Sequence, residues 1–153
     1  MAKKNRRLGK ISLTIILTIL IWVWADLSQD EERTLTNLVA LDLAQPSDET
    51  LWVSFVGTDG TLNSTAILDS VTLKGPASQI AEIDRTRKKG LLNLNLVVIP
   101  EDEGLTEVGD ALTFNVLEFL RDSTEIRDLG LTVELCEPAI LTVQVRRLVE
   151  KTV

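Results

Sequence analysis

Histidine and tyrosine are absent from this chain, and cysteine occurs once, as Cys136. Without imidazole there is no His/Cys zinc site and no Ser-His-Asp or Cys-His nucleophilic arrangement. A single cysteine forbids a disulfide within the chain, so stability outside a reducing compartment has to come from a packed core. Aromatic residues are few, three Trp and three Phe, and the eight glycines are dispersed and form no phosphate-cradling loop.

Charge is also unevenly distributed. Lys3, Lys4, Arg6, Arg7 and Lys10 all precede the first acidic residue, Asp26. Removing those five from the 16 basic residues leaves 11 against 23 acidic ones, a body of net charge −12. Such a body repels phosphate backbones and anionic headgroups, which argues against nucleic acid as a partner. With 153 residues, the chain has room for one compact domain beyond its first segment.

That segment is the one long apolar run. Ile11, Leu13, Ile15, Ile16, Leu17, Ile19, Leu20, Ile21, Val23 and Leu27 are interrupted only by small or threonine-sized residues and the two tryptophans before Asp26. At about −0.3 to −0.6 kcal/mol per central aliphatic residue, the run favours insertion into a bilayer by a few kcal/mol. As a helix, Leu8 to Leu27 covers about 30 Å, with Lys10 reaching back toward the headgroups. Leu13, Ile16, Leu17, Leu20, Trp22 and Trp24 are the expected membrane-anchor residues, the two tryptophans at the interface. The expected division is a basic cytoplasmic segment over residues 1–10, a transmembrane helix over 11–27 and an extracytoplasmic domain over 28–153. The basic cluster before the span sets that orientation in the cytoplasmic membrane by the positive-inside rule. A cleaved signal peptide ending at Val23-Trp24-Ala25 is the rival expectation, disfavoured by the bulky tryptophans and the length of the span. Thr14 and Thr18 are expected to bond their own helix backbone, with packing against a partner helix as the alternative.

Beyond residue 28 the recurring signal is alternation with a period of two, which predicts a mainly β domain with one or two short helices. Strands are expected over Thr34 to Leu43, Leu51 to Gly57, Asp69 to Lys74, Leu92 to Val98, Leu131 to Leu135 and Leu141 to Val145. Their inward residues suffice for one sandwich-like core. A short helix is expected after Gly75, with Pro76 at its first position and Ile80 and Ile83 as its apolar ridge. A second spans Val116 to Leu129, with Phe119, Leu120 and Ile126 inward and Gly130 as a stop, unless Asp122-Ser123-Thr124 divides it. Loops are expected at Gln45 to Thr50, Thr58 to Thr65 and Pro100 to Asp110.

No catalytic, cofactor or metal residue emerges. Glu101-Asp102-Glu103-Gly104 lacks the alternate ligand spacing of a calcium loop, and a solvated acidic loop is expected; Asp30-Glu31-Glu32 is a second acidic run. Asn63-Ser64-Thr65 matches the glycosylation acceptor pattern, which is common by chance. Cys136 falls on the outward parity of its strand, and a partly buried free thiol is expected rather than a bond to another chain.

The order of these features resembles the YbbR-like domain proteins. The resemblance rests on a span ending in Ile21-Trp22-Val23-Trp24 that leads into an extended strand. It rests also on Val71-Thr72-Leu73-Lys74-Gly75-Pro76, a strand running into a glycine-proline turn and a helix, and on Glu137-Pro138 before a closing strand. Lys74, Gly75, Pro76 and Pro138 are the motif residues. The family usually carries tandem copies of the domain, whereas this chain has room for one. What the resemblance implies is a non-enzymatic, membrane-anchored regulator whose partner is a membrane diadenylate cyclase, the enzyme that makes cyclic di-AMP. The alternatives are a structural envelope-binding protein and, least favoured, an anchored hydrolase using carboxylates alone.

Overall fold

A computed structural model describes the backbone of residues 2–149 and the side chains of residues 9–26 and 28–149. The side chains of Lys3, Lys4, Arg6, Arg7, Leu8 and Leu27, and the whole of 150–153, lie outside the described residues. Helix α1 runs Ala2–Ser28. The backbone of the basic start from Ala2 continues into the apolar run as one helix, and no proline interrupts it.

The remainder is mainly β. In chain order it comprises β1 (Asp30–Leu43), β2 (Leu51–Val56), β3 (Leu62–Asn63), β4 (Thr65–Pro76), α2 (Ala77–Lys88), β5 (Leu94–Val98) and β6 (Gly109–Asn115). There follow α3 (Val116–Asp122), α4 (Thr124–Asp128), β7 (Thr132–Glu137) and β8 (Ile140–Arg147). One sheet has the order β5-β1-β4-β7, the other β3-β2-β8-β6. All described pairings are antiparallel except β1 with β5. Leu35, Val39, Leu41, Val71, Leu73 and Leu96 from the first sheet meet Val53, Phe55, Phe114, Val143 and Val145 from the second in one continuous core. Ile80 and Ile83 of α2, together with Val116, Leu120 and Ile126 of α3 and α4, complete it. Phe114 bridges its two ends, its ring 6.2 Å from Phe55 and 5.5 Å from Phe119, both tilted.

Several elements depart from the sequence expectation, each for a physical reason. The acidic run Asp30-Glu31-Glu32 is strand, because Lys74, Gly75 and Pro76 pair with it across the ladder. Asn37 takes a positive φ of 54° and, with Leu38, forms a bulge opposite β4, which leaves Leu35, Val39 and Leu41 on one face. Thr58 to Thr65 is not all loop, since it contains the short β3. The expectation missed β6, whose apolar residues Leu112 and Phe114 are too few and too close to the acidic loop to announce a strand. The strand expected from Leu92 begins at Leu94. Pro76 is the residue before α2 and not its first helical residue.

The helix expected over Val116 to Leu129 is two helices. Ser123 ends α3 in an extended conformation and caps α4, its hydroxyl accepting from the Ile126 N–H at 3.4 Å. Asn115 caps α3 by accepting from the Glu118 N–H at 3.2 Å. Gly130 does act as the stop, with φ +71° and its N–H bonded to the Arg127 carbonyl.

Cys136 overturns its expected parity. The β4–β7 register slips between Thr72 and Leu73, so that Leu135 is turned outward and Cys136 is 4% exposed. Arg121 braces this slip, its guanidinium donating to the carbonyls of Val133 at 3.0 Å and Glu134 at 3.1 Å on the open edge of β7. Burial pushes the Cys136 thiol above its ordinary pKa, with the Arg121 charge opposing in part. Alkylation of the native chain at pH 8 should therefore run at least about tenfold slower than in denaturant, followed by mass spectrometry. Equal rates would contradict the burial.

Candidate functional site

Two regions are set apart from the core by their exposure or their clustering: the apolar helix with its junction to the domain, and a groove at the opposite end of β1.

In α1, Gly9–Asp26 is long and apolar enough to cross a membrane, and none of it is buried within the protein. Leu13, Ile16, Leu17 and Leu20 are each about half exposed, and Trp22 and Trp24 are 73% and 71% exposed. No protein surface covers them. Thr14 donates to the Lys10 carbonyl at 2.9 Å and Thr18 to the Thr14 carbonyl at 2.8 Å, so both hydroxyls are satisfied inside the helix.

The helix is fastened to the domain at its last turn. The Ser78 hydroxyl, in the first turn of α2, donates to the Asp26 carboxylate at 2.9 Å. The Ala77 N–H donates to the Gln29 carbonyl at 3.2 Å, and the Gln29 N–H to the Asp26 carbonyl at 3.3 Å. A carboxylate at the start of α2 is also favoured by the helix dipole. Asp30 pairs with Pro76 immediately beyond, so strand, helix start and apolar helix meet within a few residues. Nothing in the sequence signals that Asp26 and Ser78 converge, because only the β1–β4 register brings them together.

Three of the four motif residues, Lys74, Gly75 and Pro76, lie in the same corner. Gly75 is buried, and a Cβ there would stand 2.5 Å from Leu131 Cδ2 and 3.0 Å from the Gly130 carbonyl oxygen. Lys74-Gly75-Pro76 is thus the end of β4 and not the expected turn, and glycine is needed there for the close approach of Gly130 and Leu131, where α4 leads into β7. Pro138 is remote from that corner. It follows a cis Glu137–Pro138 bond, and its neighbour Ala139 accepts the Val116 N–H at 2.9 Å, fixing the start of α3.

No group of three or more Cys, Asp or Glu able to hold a metal ion occurs among the described residues. Glu101 instead ties two loops together by accepting from the Ser47 N–H, which holds its carboxyl below the ordinary range. Glu103 is pushed up, first by burial and then by the negative charges of Asp102, Asp122 and Glu118. It lines a shallow depression of about 200 Å³ with Phe119, Ser123 and Glu125. A carboxylate whose folded pKa is raised favours the folded state below the unfolded pKa, and that advantage is lost as pH rises through the folded value. Glu103→Gln should accordingly raise the stability at pH 7 by a few tenths of a kcal/mol, about the scale of exposed charge interactions. The gain should shrink between pH 7 and about pH 3, as the wild-type carboxyl takes up its proton. Denaturation midpoints at the two pH values measure this, and a gain that grows toward acid would contradict it.

The groove, of about 600 Å³, lies where β1 ends and β2 begins. Leu43, Pro46, Trp52 and Leu148 form its apolar walls, with Gln45, Glu49 and Ser64 at its rim. At about 3.3 Å per residue, the 14 residues of β1 put it on the order of 40 Å from α1. Sequence reasoning passed over it, although an outward tryptophan between inward Leu51 and Val53 was a visible signal: Trp52 is 53% exposed.

No family model, no curated protein and no solved structure matches this chain.

Proposed function

We propose that the chain is a membrane-anchored, non-enzymatic regulatory or interaction protein of the YbbR-like kind. The N-terminus lies in the cytoplasm and the β domain outside the cytoplasmic membrane. The observation that carries this reading is the coexistence of an apolar helix of bilayer length, none of it buried within the protein, with a hydrogen-bonded junction, Asp26 to Ser78, that fastens it to the domain. A helix so fastened couples the domain's position to whatever packs against the helix in the bilayer. The basic cluster Lys3 to Lys10 before the span supplies the orientation. By the resemblance in Trp22 to Leu43, Lys74-Gly75-Pro76 and Glu137-Pro138, the partner is a membrane diadenylate cyclase, biased through its membrane helices.

Deleting the chain should change cellular cyclic di-AMP, and a photo-crosslinker placed between residues 9 and 26 should capture the cyclase. Unchanged nucleotide levels would sink the cyclase reading. A second reading, a structural binder of another envelope component, is favoured by the groove beside Trp52. In that case function survives replacement of α1 by an unrelated span, whereas a regulator acting through its helix loses it.

A further inference from the structure

Hydrogen-bond alternation along β2 exposes part of its backbone to the groove. The Leu148 N–H donates to the Thr50 carbonyl at 2.7 Å, so in the β2–β8 ladder the even residues Trp52, Ser54 and Val56 point their N–H and C=O groups at β8. The odd residues point the other way. There Phe55 pairs with Asn63 of β3, and Gly57 N–H donates to the Thr61 carbonyl at 2.7 Å. At Ser64 the chain leaves this lane for the other sheet, where the Ser64 carbonyl accepts from the Leu43 N–H at 2.8 Å. Leu51 N–H is taken by the Asp48 carbonyl at 3.0 Å. The N–H and C=O of Val53 and the C=O of Leu51 face that same side beyond the last β2–β3 pair, Phe55 with Asn63, and no strand among the described residues continues the ladder there. Leu51, Trp52 and Val53 all line it, as an edge-on strand must.

We propose that this groove is a β-augmentation site that takes a short, extended, basic peptide segment of an exported partner protein, continuing the lane of β3 along β2. A strand edge that presents a donor and acceptors but has no paired strand is matched by another extended backbone, which a small apolar ligand does not supply. Leu43, Pro46, Trp52 and Leu148 accept apolar side chains at alternate positions of the peptide, and the volume falls within the ~300–1,000 Å³ of ordinary ligand sites. Glu49 at the rim and the net charge of −12 on the body select a basic segment and steer it. The proposal rests on reading the domain as an interaction module, and it adds the class of partner and the surface that receives it.

The test uses the full chain in lipid nanodiscs, panned against a random heptapeptide phage library, with synthetic copies of the enriched sequences titrated. The expected peptides alternate apolar residues, carry Lys or Arg, and lose at least tenfold in affinity both on Trp52→Ala and on N-methylation of the amide that pairs with Val53. N-methylation alters only the peptide, so the result does not depend on whether the variant folds. No enriched sequence, or affinities unmoved by N-methylation, overturns the proposal. Binding of a cell-wall glycan fragment that needs Trp52, with no peptide bound, overturns it in favour of a sugar site. Cyclic di-AMP measured in the deletion strain is independent of these outcomes, so failure here is distinguishable from failure of the regulatory reading.

Discussion

Replacing Leu17 and Leu20 together by arginine should abolish recovery of the chain in the membrane fraction. Both residues lie near the middle of the apolar window and three apart, hence on one helical face. Each exchange turns a contribution of about −0.5 kcal/mol into one of about +3 kcal/mol, so the pair shifts insertion by roughly 6–7 kcal/mol. The whole span favours the bilayer by only a few kcal/mol, so the sign of the balance reverses. The β domain has little reason to suffer, because no residue of the window is buried within the protein. Sedimentation of membranes after lysis measures the effect, and undiminished membrane recovery of the double variant would contradict it.

The second large effect falls on the motif corner. Gly75→Val would put a branched side chain where even a Cβ stands 2.5 Å from Leu131 Cδ2 and 3.0 Å from a backbone oxygen. The leucine methyl has little freedom to retreat, since Leu131 is 1% exposed and packed in the core. The carbonyl of Gly130 belongs to the turn that ends α4 and cannot move without it. Overpacking of this kind costs about 3 kcal/mol, which lowers the melting temperature of a domain this size by roughly 10 °C. Thermal unfolding followed by circular dichroism is the measurement. A midpoint within about 2 °C of wild type would show that this corner has room it lacks here.

How much of this was legible beforehand differs between strands and site. Strands with clean alternation, such as Leu51-Val53-Phe55 and Leu141-Val143-Val145, announce themselves because one face is buried and a slip of one residue would expose it. The bulges at Asn37 and beside Leu73 add a residue to one strand without leaving a trace in the pattern, and the second of them reverses the parity at Cys136. β6 escaped notice because its register also slips, between Gly109 and Leu112, which breaks the alternation in a strand of seven residues. The bilayer-length helix could be found from hydropathy alone. The Asp26–Ser78 junction and the free edge of β2 could not, since both depend on which strands become neighbours. Gln144 shows the same limit: it sits on the polar parity of β8 yet is 7% exposed, its amide donating to Asp110 at 2.9 Å across a bulged neighbour.

The most direct test of the anchored topology is an alkaline phosphatase fused after the last residue and assayed in washed membranes. An active enzyme sedimenting with the membrane at the mass of the uncleaved fusion is the expected result, because it requires both an exported domain and a retained α1. An inactive fusion would place the β domain in the cytoplasm, and activity released to the soluble envelope fraction would mean that α1 had been cut away.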